Sequence, residues 1–340
     1  MADVLQSPFP YAGGKASIAP LVWERLGNVP NFVEAFLGSA AMLLARPHEP
    51  GIETVNDADG FICNLWRALK YAPDEVAFYA DAPVFESDVH AKHAWLVTEG
   101  RERVARLEGD PEWFDAKVAG WWVFGMSVWI GTGFCSGEGP WHVEDGRLVK
   151  SASDGKGGVL SSDSVSKGIT RKLPHLKGSR GITRQLPHLR TEGMGVARAS
   201  CDDLRGYFRA LSDRLRRVRV CCGDWERVCG FSPTTALGLT GVFLDPPYSD
   251  GDRATVYRME SFDVAKRVET WCRERGNDPL LRVALCGYEG NYDLPGWECV
   301  PWKANGGYGN QSNGRGRENA GRERLWFSPH CLQPAQERLF

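Results

Sequence analysis

No charge of one sign dominates this chain: 41 Lys and Arg stand against 43 Asp and Glu, a net charge of −2 over 340 residues. That balance excludes a protein whose whole surface attracts nucleic acid, so any such contact needs a local basic surface. Long apolar runs are missing as well. The longest, around 121–134, is interrupted by glycines and too short to cross a bilayer, and it reads as core. No apolar N-terminal segment resembles a signal peptide. The ten cysteines lie far apart or directly adjacent, as in Cys221-Cys222, with no C-x-x-C pair. This argues for reduced thiols in a cytoplasmic setting and against a zinc site; no metal is expected. At this length the chain holds one large or two modest cores.

What is present begins with Asp245-Pro246-Pro247-Tyr248, which follows the apolar run 242–244. That run reads as a buried strand, and ligands of open α/β sheets bind where parallel strands end. The tetrapeptide suits a flat ring with an exocyclic amine. Such a nitrogen is a poor nucleophile because its lone pair is delocalised into the ring. The Asp245 carboxylate and the Pro246 carbonyl would each accept a hydrogen bond from it, favouring a pyramidal nitrogen, and such contacts strengthen in the transition state. Two prolines stiffen the loop, and Tyr248 offers a π face. By itself the same sequence also reads as an ordinary Pro-Pro turn.

Tyr11-Ala12-Gly13-Gly14-Lys15 leads into 16–26, where Ile18, Leu21, Val22 and Leu26 recur at helical spacing and Gly27 is placed to cap the end. The turn lacks the G-x-x-x-x-G-K-[ST] spacing of a phosphate-binding loop. Next, 32–36 reads as the first strand and 40–45 as a helix, with Gly38-Ser39 the turn between them. This is a strand–glycine turn–helix site without the G-x-G-x-x-G dinucleotide fingerprint. The run 52–55 then ends in Asn56-Asp57. An acid at the end of a second strand can bind ribose hydroxyls, and it can equally cap a helix.

In this order, Tyr11–Lys15, Val33-Glu34-Ala35-Phe36-Leu37-Gly38-Ser39, Asn56-Asp57 and Asp245–Tyr248 resemble the DNA adenine methyltransferases of the Dam type, the D12 class, over roughly 7–70 and 218–328. The resemblance implies a Rossmann-like α/β sheet that uses S-adenosylmethionine to methylate adenine N6 in double-stranded DNA after base flipping. It places Tyr11, the Gly13-Gly14 turn and Lys15 at the cofactor, Glu34, Phe36 and Gly38 around its methionine part, and Asp57 at its ribose. Asp245 touches both amine and cofactor, and Asp224, after a strand at 218–221, lies near the cofactor's adenine. Glu323–Phe327 resembles the family's last strand. Transfer is expected to be direct and in line, with no covalent enzyme intermediate. Whether Asp245 or water takes the proton stays open. So do cytosine N4 as the target and a catalytically silent DNA-binding module. An RNA or protein-glutamine enzyme would be expected to carry Asn at position 245.

The catalytic domain is expected at 1–60 and 200–340, with a largely helical and loop-rich target-recognition region at 61–199. There, 91–107 and 113–129 are the best helices and 131–166 reads as loop. A direct repeat with a 13-residue period follows, Gly168–Leu176 returning as Gly181–Leu189. It carries Arg171, Lys172, Arg180 and Arg184 with no Asp or Glu from 167 to 190. It is either the local basic surface for DNA phosphates or a solvated insertion. Residues 202–219 read as a basic amphipathic helix, and Trp121, Trp122, Trp129, Phe134 and Trp141 as core or as filling beside a flipped base. A monomer is expected, with a restriction partner undetermined.

Overall fold

The computed structural model describes residues 5–9, 11, 14–110, 112–129, 134–135, 141–144, 147–150, 201–247, 262–302 and 321–334. Gly13, Tyr248 and the repeat with Arg171, Lys172, Arg180 and Arg184 lie outside these residues. The strands are β1 (Asn31–Glu34), β2 (Ile52–Asp57), β3 (Trp141–Glu144), β4 (Arg147–Lys150), β5 (Val218–Cys222), β6 (Thr240–Leu244), β7 (Leu281–Tyr288), β8 (Glu298–Pro301) and β9 (Glu323–Phe327). The α-helices are α1 (Ala19–Leu26), α2 (Ala41–Leu44), α3 (Gly60–Tyr71), α4 (Pro73–Ala80), α5 (Glu86–Trp95), α6 (Arg101–Val104), α7 (Ala116–Val128), α8 (Cys201–Leu215), α9 (Glu226–Cys229) and α10 (Phe262–Arg275). None is long and apolar enough to cross a membrane.

The chain divides into two compact units. The first holds Met1–Ser7, Tyr11–Cys63 and Arg214–Phe340, and the second Pro8–Pro10 and Asn64–Asp213. The first is built on a seven-stranded sheet of order β5-β2-β1-β6-β7-β9-β8. From β5 to β7 the pairs are parallel, and β9 runs antiparallel to both neighbours. This mixed α/β, mostly parallel sheet is consistent with a methyltransferase fold.

Its central strands are apolar on both sides because both faces are covered. Val33, Val242, Leu244, Val283 and Leu285 pack against α9 and α10 through Trp225, Val228, Val268 and Cys272. Their neighbours Phe32, Phe243, Ala284 and Cys286 face the other way, onto Val22, Trp23 and Leu26 of α1. This strict alternation is the period of two of an extended chain. It explains why 242–244 reads as an unbroken apolar run.

Several boundaries differ from expectation. A short 3-10 turn, Ala16–Ile18, precedes α1, and Gly27 caps the helix at φ +67°. β1 starts one residue earlier than expected and ends at Glu34, and β2 continues through Asp57. The helix expected over 202–219 stops at Leu215, because Val218 already belongs to β5. The loop expected over 131–166 contains an antiparallel pair, Trp141–Glu144 with Arg147–Lys150. The missed signal was Asp145-Gly146, a dipeptide favoured in two-residue hairpin loops.

In the second unit, Asn64 is bonded to the backbone of Asp115 in both directions, and Asp115 caps α7 by accepting from Val118 N–H. Trp122 packs edge-on against Phe9, and Gly125 leaves room for the ring of Phe134. Trp122 is buried inside the unit, whereas Trp121, Trp129 and Phe134 are half-buried.

Candidate functional site

The sheet order reverses beside β1, which pairs with β2 on one side and β6 on the other. At such a point the connections leave in opposite directions and open a crevice beyond the carboxyl ends of the strands. The residues that leave these strand ends are Glu34 from β1, Asp57 from β2, Asp224 two residues after β5, and Asp245 directly after β6.

Backbone bonds lace the strand ends together. Ala35 N–H donates to the Phe243 carbonyl (3.2 Å), Leu37 N–H to that of Asn56 (2.8 Å) and Gly223 N–H to that of Asp57 (2.8 Å). The Asn56 side chain adds a clasp: Nδ2 donates to the carbonyls of Ala35 (3.1 Å) and Gly223 (3.0 Å). Sequence reasoning gave Asn56 no role of its own. Its position beside an acid at a strand end was the available signal.

The glycine turn is shaped by close approach. Gly38 has φ +45°, and a Cβ there would stand 2.6 Å from Cε1 of Tyr11. Only glycine combines that backbone with that contact. Gly38 N–H donates to Asp57 Oδ2 at 2.9 Å, so Tyr11, Gly38 and Asp57 meet. Gly14 N–H donates to the Tyr11 carbonyl at 3.2 Å, closing the turn that delivers Lys15. Phe36 is half-buried, with its ring 5.9 Å from that of Trp225.

Asp57 retains some exposed surface, yet its carboxyl group is enclosed. Burial raises its pKa to about 6, against the N–H groups of Asp59 and Gly38 that favour the charge. The helix cap that Asp57 was equally suited to provide falls to Asp59, whose Oδ1 accepts from Phe61 N–H at 2.8 Å. Asp224 is more open. Arg267 binds it through both guanidinium NH groups at 3.0 Å, and Glu226 N–H donates to Oδ1 at 2.9 Å. The partial burial of Asp224 opposes its ionisation, but Arg267 and Glu226 N–H outweigh it and hold the carboxyl below its usual range. Asp224 thus has a guanidinium already on it, one residue after Gly223, whose N–H donates to the Asp57 carbonyl.

Glu34 is buried, and its two oxygens accept the N–H groups of Met42 (3.3 Å) and Leu43 (2.9 Å) at the start of α2. Burial pushes its pKa up to about 8; the Leu43 and Met42 N–H groups oppose the rise, while the charges of Asp245 and Glu53 add to it. The ordinary value is 4.5. Between about 4.5 and 8 the folded chain therefore holds a proton that the unfolded chain has lost, so stability falls as pH rises through this window. The slope from this group approaches 1.4 kcal/mol per pH unit in mid-window. Urea unfolding at a series of pH values is expected to show this decline in the wild type and a shallower one in Glu34→Gln. Equal slopes would remove Glu34 as the cause.

Asp245 is met by Lys15, with Nζ 3.0 Å from Oδ2, and the Trp302 ring centroid lies 5.8 Å from the same ammonium. Pro246 is buried and Pro247 half-buried. The structure therefore joins Lys15 with Asp245, and Tyr11 with Gly38 and Asp57. The Lys15–Asp245 pair was not expected, since 230 positions separate the two residues and no local pattern links them.

A comparison with curated proteins gave no match. Residues 11–93, the stretch that carries Tyr11, Lys15, Glu34, Gly38 and Asp57, match the family of D12 class N6 adenine-specific DNA methyltransferases, which supports DNA adenine methylation as the general activity.

Proposed function

We propose that this protein is a site-specific DNA methyltransferase that transfers the methyl group of S-adenosylmethionine to adenine N6 in double-stranded DNA. The observation that carries the reading is the position of Asp245. It opens Asp-Pro-Pro-Tyr at the end of β6, beside the strand whose end bears Glu34. The sheet is read as the Rossmann-like sheet of such enzymes, and the second unit as the inserted target-recognition region.

The crevice suits the cofactor chemically. Asp57 and Asp245 make it acidic, which fits a ligand with a sulfonium and an ammonium group, and Asp57 suits a ribose diol. Tyr11, the Gly13-Gly14 turn, Glu34, Phe36, Gly38 and Asp57 would hold it, with Asp224 towards its adenine. When bound, the cofactor supplies a methyl group on a good leaving group. Asp245 accepts a hydrogen bond from the target amine, the Pro246 carbonyl accepts another, and Tyr248 stacks on the flipped base. Arg171, Lys172, Arg180 and Arg184 lie along DNA phosphates. The enzyme works in the cytoplasm as a monomer.

The test is methylation of a mixed-sequence plasmid by the purified chain, read by base-resolved sequencing. N6-methyladenine at a recurring short sequence is expected. N4-methylcytosine would overturn the substrate, and DNA binding without methylation would overturn the enzyme.

A further inference from the structure

Lys15 is 3% exposed, and lysine is rarely buried to this degree without a paired charge. Three distant segments converge on its ammonium. The Tyr11–Gly14 turn delivers it, and Ile18 N–H, donating to the Lys15 carbonyl at 3.1 Å, fixes its backbone at the head of the first helical turn. Asp245 arrives from β6 and meets it at 3.0 Å. Trp302, just after β8, turns its ring towards the same group at 5.8 Å, within the range of a cation–π contact.

We propose that Lys15 is the positioning residue for Asp245, setting the rotation of its carboxylate toward the target amine, and is not a cofactor ligand. This role rests on the methyltransferase reading above. A carboxylate at a strand end can rotate about its Cβ–Cγ bond. An ammonium 3.0 Å from Oδ2 decides which way the group faces. Orientation of this kind matters because a misplacement of about 1 Å at a reacting centre can cost about 10²-fold in rate. Charge also argues against a contact between Lys15 and the cofactor's positive centres. A lysine ammonium repels a sulfonium or an ammonium, whereas the Asp57 carboxylate attracts them. The proximity of Lys15 to the cofactor expected from the family resemblance is thereby retained, but its partner is the enzyme's own carboxylate.

The experiment compares wild type, Lys15→Met and Lys15→Arg in steady-state methylation of DNA, with cofactor affinity measured directly by calorimetry and folding checked by circular dichroism. In Lys15→Met, kcat is expected to fall by about 10²-fold, with the cofactor Kd changed less than about threefold. Lys15→Arg, which keeps the charge, is expected to regain at least a tenth of wild-type kcat and serves as the test if Lys15→Met does not fold. Loss of cofactor affinity with kcat preserved would make Lys15 a cofactor ligand and overturn the proposal. Wild-type kcat in Lys15→Met, or no recovery in a folded Lys15→Arg, would overturn it too. Wild type without turnover would sink the methyltransferase reading and this role with it; turnover in the wild type confines any failure to Lys15.

Discussion

Asp245→Ala is expected to cripple methyl transfer, with a loss of about 10²–10³-fold, while cofactor affinity weakens far less. The magnitude follows from what is removed. A preorganised polar contact aimed at charge developing in the transition state is worth about 10²–10³-fold in rate. In the reaction proposed above, Asp245 supplies such a contact at the target amine, whose lone pair must be drawn out of the ring before it can attack. The substitution has a second consequence. Lys15, 3% exposed, loses the carboxylate at 3.0 Å, and removing the counter-charge of a buried ammonium costs several kcal/mol. Single-turnover methylation, calorimetric cofactor binding and urea unfolding separate the two effects. Asp245→Asn keeps the shape and an acceptor oxygen without the charge, and should sit between wild type and alanine. Near wild-type turnover in a folded Asp245→Ala would show that the tetrapeptide does not carry the chemistry.

Glu53→Ala is expected to destabilise the chain by about 3–5 kcal/mol, the usual cost of breaking a buried ion pair by removing one partner. Glu53, on β2, is 1% exposed and holds two guanidinium groups. Arg46 NH1 lies 3.2 Å from Oε1, and Arg214 spans both oxygens at 2.6 and 2.8 Å. Each arginine also donates to a carbonyl, Arg46 to Val29 (2.7 Å) and Arg214 to Leu43 (2.8 Å). One carboxylate thus ties β2, the loop before β1, the end of α2 and the end of α8. Without it, two cations remain beside each other with no counter-charge. Glu53→Gln keeps the shape and an acceptor, and should lose less. Urea unfolding measures both. A cost under 1 kcal/mol for alanine would mean that water reaches the arginines and replaces the pair. Because β2 ends in Asp57, loosening at Glu53 is expected to reach the proposed cofactor side of the site as well.

Much of this was legible before any coordinates. The apolar run 242–244 announced β6 because a strand covered on both faces needs no polar residues. Gly27 announced the end of α1, since its φ of +67° suits glycine. Gly38 announced a tight turn for the same reason, though that Tyr11 presses on it was not readable. The hairpin at 141–150 was missed although Asp145-Gly146 stood in the sequence, because glycine, serine and aspartate around it read equally well as loop. The helix ending at Leu215 was drawn too long because the helical pattern runs without a break into the strand that follows.

The sequence by itself determined the local structure: which turns require glycine and which runs must be buried. Backbone sterics and apolar periodicity act over a few residues, so a linear reading captures them. Only the tertiary structure decided the partners. It set Lys15 against Asp245, Arg267 on Asp224, two arginines on Glu53, and Glu34 under α2 with a pKa near 8. Those pairings depend on distance in space and on how far water is excluded. Both follow from the order in which distant strands lie side by side, and no local pattern in the chain encodes that order.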